Sequence, residues 1–185
     1  WYPGQQGGKA VAEVLFGDYN PAGKLPVTFY RNVSQLPDFE DYNMTGRTYR
    51  YMQDVPLFPF GYGLSYTTFG YGKTVFDKNE LTAGQSLKLT VPVTNTGKRN
   101  GEEVVQVYLR KQGDAEGPIK TLRAFKRVSI PAGKTVNVEF DLKDKELEWW
   151  DDQSNTVRVC PGNYDIMVGG SSKEEDLQRT TIAIK

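Results

Sequence analysis

The side chains that could carry acid–base chemistry are acidic residues that stand next to one another. They occur at Glu40-Asp41, Glu102-Glu103, Asp151-Asp152 and Glu174-Glu175-Asp176. Acid–base catalysis by a carboxyl pair requires both groups to face one substrate. Neighbouring residues of a strand point to opposite faces, so an adjacent pair on a strand does not meet this requirement. The adjacent acidic residues that are not on strands fall in predicted loops. We therefore interpret these residues as solvated surface charge.

Nucleophilic catalysis and metal binding have few candidate residues in this chain. The sequence contains no histidine, and Cys160 is its only cysteine. Neither a Ser-His-Asp triad nor a Cys-His pair can form, and the commonest zinc ligand is missing. A single cysteine also excludes a disulfide within the chain, so we expect Cys160 to be an inert, partly buried thiol. We assign no catalytic, cofactor-binding or metal-binding residue on these grounds.

The glycine-rich opening of the chain could be mistaken for a phosphate-binding loop. A P-loop requires a glycine five residues before its Gly-Lys pair and a hydroxyl residue directly after the pair. Before Gly8-Lys9 that position holds Pro3, and Ala10 follows the pair. The spacing excludes a P-loop. We interpret the glycines instead as residues that let a loop pass close to a neighbouring strand.

Composition predicts a folded, electrically neutral protein. The chain has 185 residues, of which 38% are hydrophobic and 12% aromatic, enough to bury a sizeable core. Lys plus Arg and Asp plus Glu number 23 each, so nothing favours nucleic acid as a partner. No apolar run is long enough to cross a membrane, and the first residues do not resemble a signal peptide.

The first third of the chain predicts a small unit of mixed α and β structure. Residues 9–16 have helical periodicity, and Gly17 follows as a C-terminal cap. Residues 20–23 predict a turn and residues 25–29 a brief strand. The apolar stripe of the helix comprises Ala10, Val11, Val14 and Leu15. Such a unit cannot enclose a core by itself, so it resembles one layer of an α/β sandwich.

From Tyr66 onward the apolar residues alternate with polar ones, which is typical of half-buried strands. The predicted strands lie at 87–93, 105–109, 136–142, 164–168 and 177–184. Basic residues at 98–99 and 120–127 are interleaved with apolar ones and are interpreted as a solvated strand face. Turn residues separate the strands, and about seven strands with one apolar face each predict an antiparallel two-sheet sandwich.

Several long motifs resemble glycoside hydrolase family 3. WYPGQQGGKAVAEVLFGDYNPAGKLPVT at 1–28 and PLFPFGYGLSYTTF at 56–69 are similar to the end of the α/β sandwich domain in that family. SLKLTVPVTNTGKRNGEEVVQVYLR at 86–110 resembles the first long strands of the fibronectin type III-like domain that follows it. Residues 122–128 and 161–164 match later strands of the same domain. The resemblance implies a remnant of the α/β domain with a linker at 1–65 and a fibronectin III/immunoglobulin-like sandwich at 66–185.

The same resemblance implies that the chain is a non-catalytic part of a larger retaining β-glycosidase. In the family the nucleophile is an aspartate in a Ser-Asp-Trp type motif, and no such tripeptide occurs here. The reacting groups are therefore expected before Trp1, in catalytic domains that are this chain's partners. Many members carry a glutamate where this chain has Gln6, and we give neither residue a catalytic role.

The substrate class follows from the resemblance as well. Residues 36–51 resemble the β-xylosidase branch more than the typical β-glucosidase, so β-xylosides or β-glucosides from plant polysaccharides are expected, bound only by the complete enzyme. The family also implies a periplasmic or secreted location. The alternative is a free-standing β-sandwich module that binds carbohydrate or protein, but such a module has no reason to carry the helix and linker of an α/β domain.

Two groups of aromatic residues have alternative interpretations. Trp149 and Trp150 could stack on sugar rings, but we favour one of them plugging an end of the sandwich. A second group lies between the two parts of the chain and comprises Tyr49, Tyr51, Phe58, Phe60, Tyr62 and Tyr66. We expect this second group to form the contact between the remnant and the sandwich, with contact to sugar as the less favoured role.

Overall fold

The computed structural model describes residues 3–185, and the first two residues of the opening motif, Trp1 and Tyr2, lie outside them. The N-terminal third contains helix α1 (Gly7–Phe16), a 3₁₀ turn at Val33–Gln35 and the single-turn helix α2 (Thr48–Tyr51). Helix α1 ends at Gly17, which has a φ of +81° and donates its backbone N–H to the Val14 carbonyl. The predicted helix and its glycine cap are confirmed.

Two local predictions for this third are wrong. Residues 25–29 do not form a strand, and only an isolated bridge joins Phe29 to Phe58. This segment still makes part of a strand-like pairing with the segment around Tyr62, since Leu25 N–H donates to the Tyr62 carbonyl at 2.8 Å. Pro26 has no N–H to continue the pairing, so a regular strand cannot form there. Within the described residues the glycines do not lie against a strand: an added Cβ would meet nothing within 4 Å at Gly4 or Gly8, and only Pro3 at Gly7.

The rest of the chain is mainly β, as predicted. The long strands are β4 (Leu87–Asn95), β5 (Gly101–Lys111), β6 (Thr121–Ile130), β7 (Thr135–Leu142), β10 (Gly162–Gly169) and β11 (Leu177–Ile184). The short elements are β1 (Phe69–Tyr71), β2 (Val75–Phe76), β3 (Glu80–Leu81), helix α3 (Asp144–Leu147), β8 (Trp149–Asp151) and β9 (Thr156–Arg158). Within residues 3–185 the strands outnumber the predicted seven because short edge segments accompany the long ones.

The long strands form the two sheets of a sandwich. In one sheet β4 pairs with β7 on one side and with the short β1 and β2 on the other. The second sheet has the order β3-β11-β10-β5-β6. All pairs are antiparallel except β3 with β11, and β8 and β9 form a separate hairpin. The arrangement is the packed pair of sheets that the alternating sequence predicts.

The core lies between the two sheets and is built by the predicted alternation. Val91 of β4 lies opposite Val138 of β7, and each is at most 1% exposed. The intervening Asn137 and Glu139 of β7 face solvent. Trp149 closes one end of the core, edge-on to Tyr164 at a ring-centroid distance of 6.2 Å. The predicted aromatic plug is therefore Trp149, and its neighbour Trp150 is exposed.

Strand β5 departs from simple alternation because both of its faces are buried between Val105 and Leu109. Val105, Val107 and Leu109 belong to the core cluster. Gln106 and Tyr108 are equally buried but face away from that cluster. Their face of the second sheet is covered by the N-terminal third of the chain, through contacts described below.

Candidate functional site

Most acidic residues of the candidate groups have structural partners. Glu102 pairs with Arg127 on the neighbouring strand β6. Asp151 accepts hydrogen bonds from Ser154 Oγ and Arg158 Nε at 2.6 Å each. The hydrogen bonds from Ser154 and then Arg158 lower the pKa of Asp151 to about 2. Asp151 is therefore held as an ionised acceptor that fixes its turn, and the Glu102–Arg127 ion pair joins two neighbouring strands.

Glu103 is not solvated surface charge, so that prediction is wrong for this residue. It is 6% exposed, and its Oε1 lies 3.0 Å from Lys24 Nζ of the N-terminal third. The Tyr71 hydroxyl donates to the same oxygen at 2.9 Å. Burial, and then the negative charge of Glu103, raise the pKa of Tyr71 well above its usual range. Glu103 therefore lies where the N-terminal third meets both sheets.

The interpretation of residues 120–127 as a solvated strand face is wrong for Lys120. Lys120 is 7% exposed, and its Nζ donates to the Ser172 carbonyl at 2.8 Å and to Glu174 Oε2 at 2.9 Å. Burial alone would raise the pKa of Glu174, but the hydrogen bond and charge of Lys120, with Arg179 beside it, lower it overall. The ion pair fixes the loop that precedes β11 against the start of β6.

A buried amide joins the N-terminal third to the outer face of the second sheet. Gln106 Nε2 donates to the Gly61 carbonyl at 3.2 Å and to the Gly170 carbonyl at 2.6 Å. Gln106 Oε1 accepts from the Tyr108 hydroxyl at 2.5 Å. Gly61 has a φ of +78°, and a Cβ there would lie 2.0 Å from Gln106 Oε1. The glycine in the Phe-Gly-Tyr-Gly motif is therefore required by both its backbone angle and its neighbour.

Tyr49 and Phe60 of the predicted aromatic group complete this junction, whereas Phe58 and Tyr62 stack on each other within the N-terminal third. Tyr49 stacks on Phe60 with ring centroids 4.2 Å apart and contacts the edge of Tyr108 at 5.9 Å. The Tyr49 hydroxyl accepts the backbone N–H of Leu122 at 3.1 Å. Gln106 and Tyr108 were missed as junction residues. For Tyr108 the sequence signal was the run Val107-Tyr108-Leu109, where alternation with polar residues was expected. Gln106 is polar and gave no such signal.

Among the described residues, the side-chain hydrogen bonds between helix α1 and the sandwich lie at the C-terminal end of the helix. The Tyr66 hydroxyl donates to the Val14 carbonyl at 2.5 Å, and Arg99 Nη2 donates to the Gly17 carbonyl at 2.7 Å. Arg99 satisfies a carbonyl that the helix end leaves without a partner, and Tyr66 is a second donor to the Val14 carbonyl, which already accepts from Gly17. The body of the helix is uncovered, and none of its residues is buried.

Exposed large hydrophobic residues are concentrated in the N-terminal third. Among residues 3–185 there are twenty, and sixteen of them precede Thr67. On α1 they are Val11, Leu15 and Phe16, and farther along the chain Phe39 and Tyr42 are 95% and 91% exposed. We call the three on α1 the open apolar surface, since Val11 and Leu15 are one helical turn apart on the same stripe and Phe16 follows directly. A contiguous apolar area on a folded protein marks a site of contact with another protein surface.

Within the part of the chain that the structure describes, no group of three or more His, Cys, Asp and Glu side chains is arranged to hold a metal ion. Among the same residues, no helix has the length and apolar character that crossing a bilayer requires.

Comparison with known proteins agrees with this architecture. Residues 1–66 match the glycosyl hydrolase family 3 C-terminal domain, and residues 103–172 match the fibronectin type III-like domain. A xylan 1,4-beta-xylosidase from Xylanibacter ruminicola is 55% identical over all of this chain and 21% of its own length. A periplasmic beta-glucosidase from Salmonella typhimurium is 37% identical over 93% of this chain and 24% of its own length. A β-glucosidase structure from Erythrobacter marinus superposes with a TM-score of 0.84 and 42% identity, over all of this chain and 24% of that one.

The chain combines part of a glycosyl hydrolase family 3 C-terminal domain with a fibronectin type III-like sandwich. The chain belongs to glycoside hydrolase family 3 and corresponds to a C-terminal portion of its members. It spans about a fifth to a quarter of the length of the relatives it matches.

Proposed function

We propose that this chain is the non-catalytic C-terminal part of a retaining β-glycosidase that acts on β-xylosides or β-glucosides during the breakdown of plant polysaccharides. The names of the relatives support this substrate class, and the 55% identity to a xylan 1,4-beta-xylosidase favours a xyloside. The resemblance of residues 36–51 to the β-xylosidase branch points the same way. The nucleophile and the acid/base would come from preceding domains of the same protein.

The open apolar surface carries this proposal. An amphipathic helix normally buries its apolar stripe, yet Leu15 on that stripe of α1 is 74% exposed. Burying one such side chain fully contributes about 1.5–3 kcal/mol. A surface of this kind fits the preceding part of an α/β domain, which would complete the layer that α1 begins. The sandwich then stabilises that domain through the junction at Gln106, Glu103 and Tyr49.

The acidic residues of the chain support a non-catalytic role. Retaining hydrolysis needs two carboxyl groups about 5–5.5 Å apart on either side of a sugar. Glu102, Glu103 and Asp151 are each engaged by a cation of the chain itself. Glu40 is exposed on a loop, and the partly exposed Asp41 accepts hydrogen bonds from the backbone and side chain of Asn43.

A periplasmic or secreted location forms part of the proposal. It is supported by the relative from Salmonella typhimurium, which is named a periplasmic beta-glucosidase. The chain's one cysteine, Cys160, is buried and carries no information about the redox state of the compartment.

Assays with aryl β-xyloside and aryl β-glucoside test the assignment of catalysis. The purified chain should show no saturable turnover, even at high concentration, whereas a longer protein that includes the preceding domains should be active. Saturable turnover by the chain that disappears in a Glu40→Gln, Asp41→Asn variant would contradict the proposal.

Docking through the open apolar surface is tested with Leu15→Asp, which places a charge on the apolar stripe of α1. The substitution should leave the melting temperature of the chain nearly unchanged, because Leu15 is exposed there. In the longer protein it should lower both activity and the melting temperature. Lys9→Asp adds the same carboxylate to an exposed polar position of the helix and serves as the control. Equal effects of both substitutions on the longer protein would contradict docking through the stripe.

A further inference from the structure

A groove lies where the N-terminal third crosses the outer side of the sandwich. One wall is the segment 52–59, and the other is formed by residues 119–120 and 172–175. We call it the junction groove. Its volume is about 630 Å³, which falls among the sizes of small-molecule sites, about 300–1,000 Å³.

The apolar part of the junction groove is aromatic and held in place. Tyr49, Phe58 and Tyr62 all line it. Tyr49 is stacked on Phe60, and Phe58 is stacked on Tyr62 with ring centroids 5.4 Å apart. Rings fixed in this way lose little conformational freedom on binding, and Phe58 keeps 41% of its surface exposed.

Polar groups of the groove still have hydrogen-bonding capacity. Lys120 Nζ has three N–H groups, and the described residues supply two acceptors, Ser172 O and Glu174 Oε2. The hydroxyl of Thr28, another lining residue, is buried and has no hydrogen-bond partner among the described residues. A buried polar atom without a partner is unfavourable, and a ligand hydroxyl could supply one.

The charges around the groove balance one another. Its lining contains three basic residues and three acidic residues, namely Arg31, Lys120, Lys173, Asp54, Glu174 and Glu175. A site for phosphate or another anion would carry an excess of positive charge. Flat aromatic faces surrounded by donors and acceptors of both signs suit a neutral ligand with an apolar face and many hydroxyls. A pyranose ring has both features.

We propose that the junction groove binds a short neutral oligosaccharide, at a site that contains none of the groups that catalyse hydrolysis. The aromatic rings would contact the C–H faces of the sugar rings, while Lys120, Thr28 and Asp54 would bond to hydroxyls. The ligand class follows from the groove itself. The choice of a xylo-oligosaccharide as the first probe rests on the proposed function.

The test is a titration of the ¹⁵N-labelled chain with xylotriose and cellotriose, with inorganic phosphate as a separate titrant. We expect saturable shifts of the backbone amides of Ile119, Lys120 and Ser172 with at least one trisaccharide. Phosphate should produce no saturable shift at these amides. Because the measurement is of binding to the chain alone, it is independent of whether the longer protein is a xylosidase.

Phe58→Ala should weaken the trisaccharide by about tenfold, since it removes a stacked ring from the groove. Phe39→Ala removes an aromatic side chain that is 95% exposed outside the groove and should leave affinity unchanged. Melting curves show whether each variant is folded. Should Phe58→Ala fail to fold, Asp54→Ala provides the second test, with a weaker but measurable loss expected because it removes a proposed partner of a sugar hydroxyl.

Three results would overturn the proposal. The first is the absence of a saturable shift with either trisaccharide, or shifts confined to residues outside the groove such as Trp150. The second is equal or tighter binding of phosphate. The third is binding by the chain that is lost in a longer protein with the preceding domains, which would identify the groove as part of the interface between domains.

Discussion

Glu103 holds the N-terminal third against the sandwich because its carboxylate is largely removed from water and its cation comes from the other part of the chain. Its side chain is 7% exposed and that of Lys24 is 18% exposed. An ion pair in such a position is weakly screened by salt. Removing one partner leaves the other charge in a poorly solvated site, which is more unfavourable than losing an exposed pair.

Lys24→Met should therefore lower the free energy of unfolding by about 1–3 kcal/mol, the range for leaving a buried polar group short of a partner. The Tyr71 hydroxyl remains as a donor to Glu103 and limits the loss. Urea denaturation provides the measurement. Lys9→Met breaks the exposed pair with Glu13 on α1 and should change stability by less than about 0.5 kcal/mol. Similar losses for the two variants would show that burial of Glu103 contributes nothing.

Gly61 is a second residue at which the junction can be tested. Gly61→Ala adds left-handed backbone strain of about 1–2 kcal/mol, and its Cβ displaces the Gln106 amide, with about 1 kcal/mol for each hydrogen bond lost. The control is Gly133→Ala, because Gly133 has a φ of +70° but open space around its Cβ position. Denaturation of both variants should show a clearly larger loss for Gly61→Ala. Equal losses would mean that Gln106 moves aside freely and does not secure the junction.

At the scale of the elements, β4 and β7 are the two long strands of the first sheet and pair along eight residues of each. Their register places Leu89 opposite Phe140 and Val91 opposite Val138, so one face of each strand is continuous apolar surface. Because side chains alternate between the two faces of a strand, every second residue points into the core. A charge at any of these positions would lie between the sheets.

Val138→Asp should unfold the sandwich at room temperature. It removes about 1.5–3 kcal/mol of apolar burial and places a carboxylate without a partner in the core, against a total stability of about 5–15 kcal/mol. Asn137→Asp adds the same group one residue earlier, on the exposed face, and should melt close to the parent. Circular dichroism compares the two. A melting temperature for Val138→Asp within a few degrees of the parent would contradict the inward orientation of Val138.

At the scale of the whole molecule, the two parts of the chain differ in how they are held. The sandwich encloses its own core, whereas residues 30–47 are organised mainly by local hydrogen bonds such as those of Asp41 with Asn43. Segments with few buried apolar contacts open at low free energy. The boundary between Ser65 and Tyr66 stays a prediction, and so does independent folding of the sandwich.

Limited digestion with chymotrypsin should cut first after Phe39 or Tyr42, because both side chains are almost fully exposed in an irregular loop. Mass spectrometry should then show a long C-terminal fragment that persists. Replacing both residues with serine should delay the first cut without changing the rest of the pattern. Early cleavage within 87–109, with the N-terminal third intact, would reverse the assignment of the more stable part.

The sequence by itself determined the local features of this protein. Helical spacing with a glycine cap specified α1, and alternation specified the long strands, because both signals depend on neighbouring residues alone. Motifs of this length were also enough to point to the family. The strand predicted at 25–29 did not form because Pro26 has no N–H to donate to its partner segment, which reaches Phe29 from Phe58, 29 residues away.

Only the tertiary structure decided which polar residues are buried. Glu103, Gln106 and Lys120 resemble surface residues in sequence, and each becomes structural because a distant segment brings its partner: Lys24, Gly61 and Ser172, respectively. The junction groove exists for the same reason, since its two walls come from separate parts of the chain. The type of a polar residue reports its capacity for hydrogen bonds, but whether that capacity is met by water or by protein depends on what the fold places beside it.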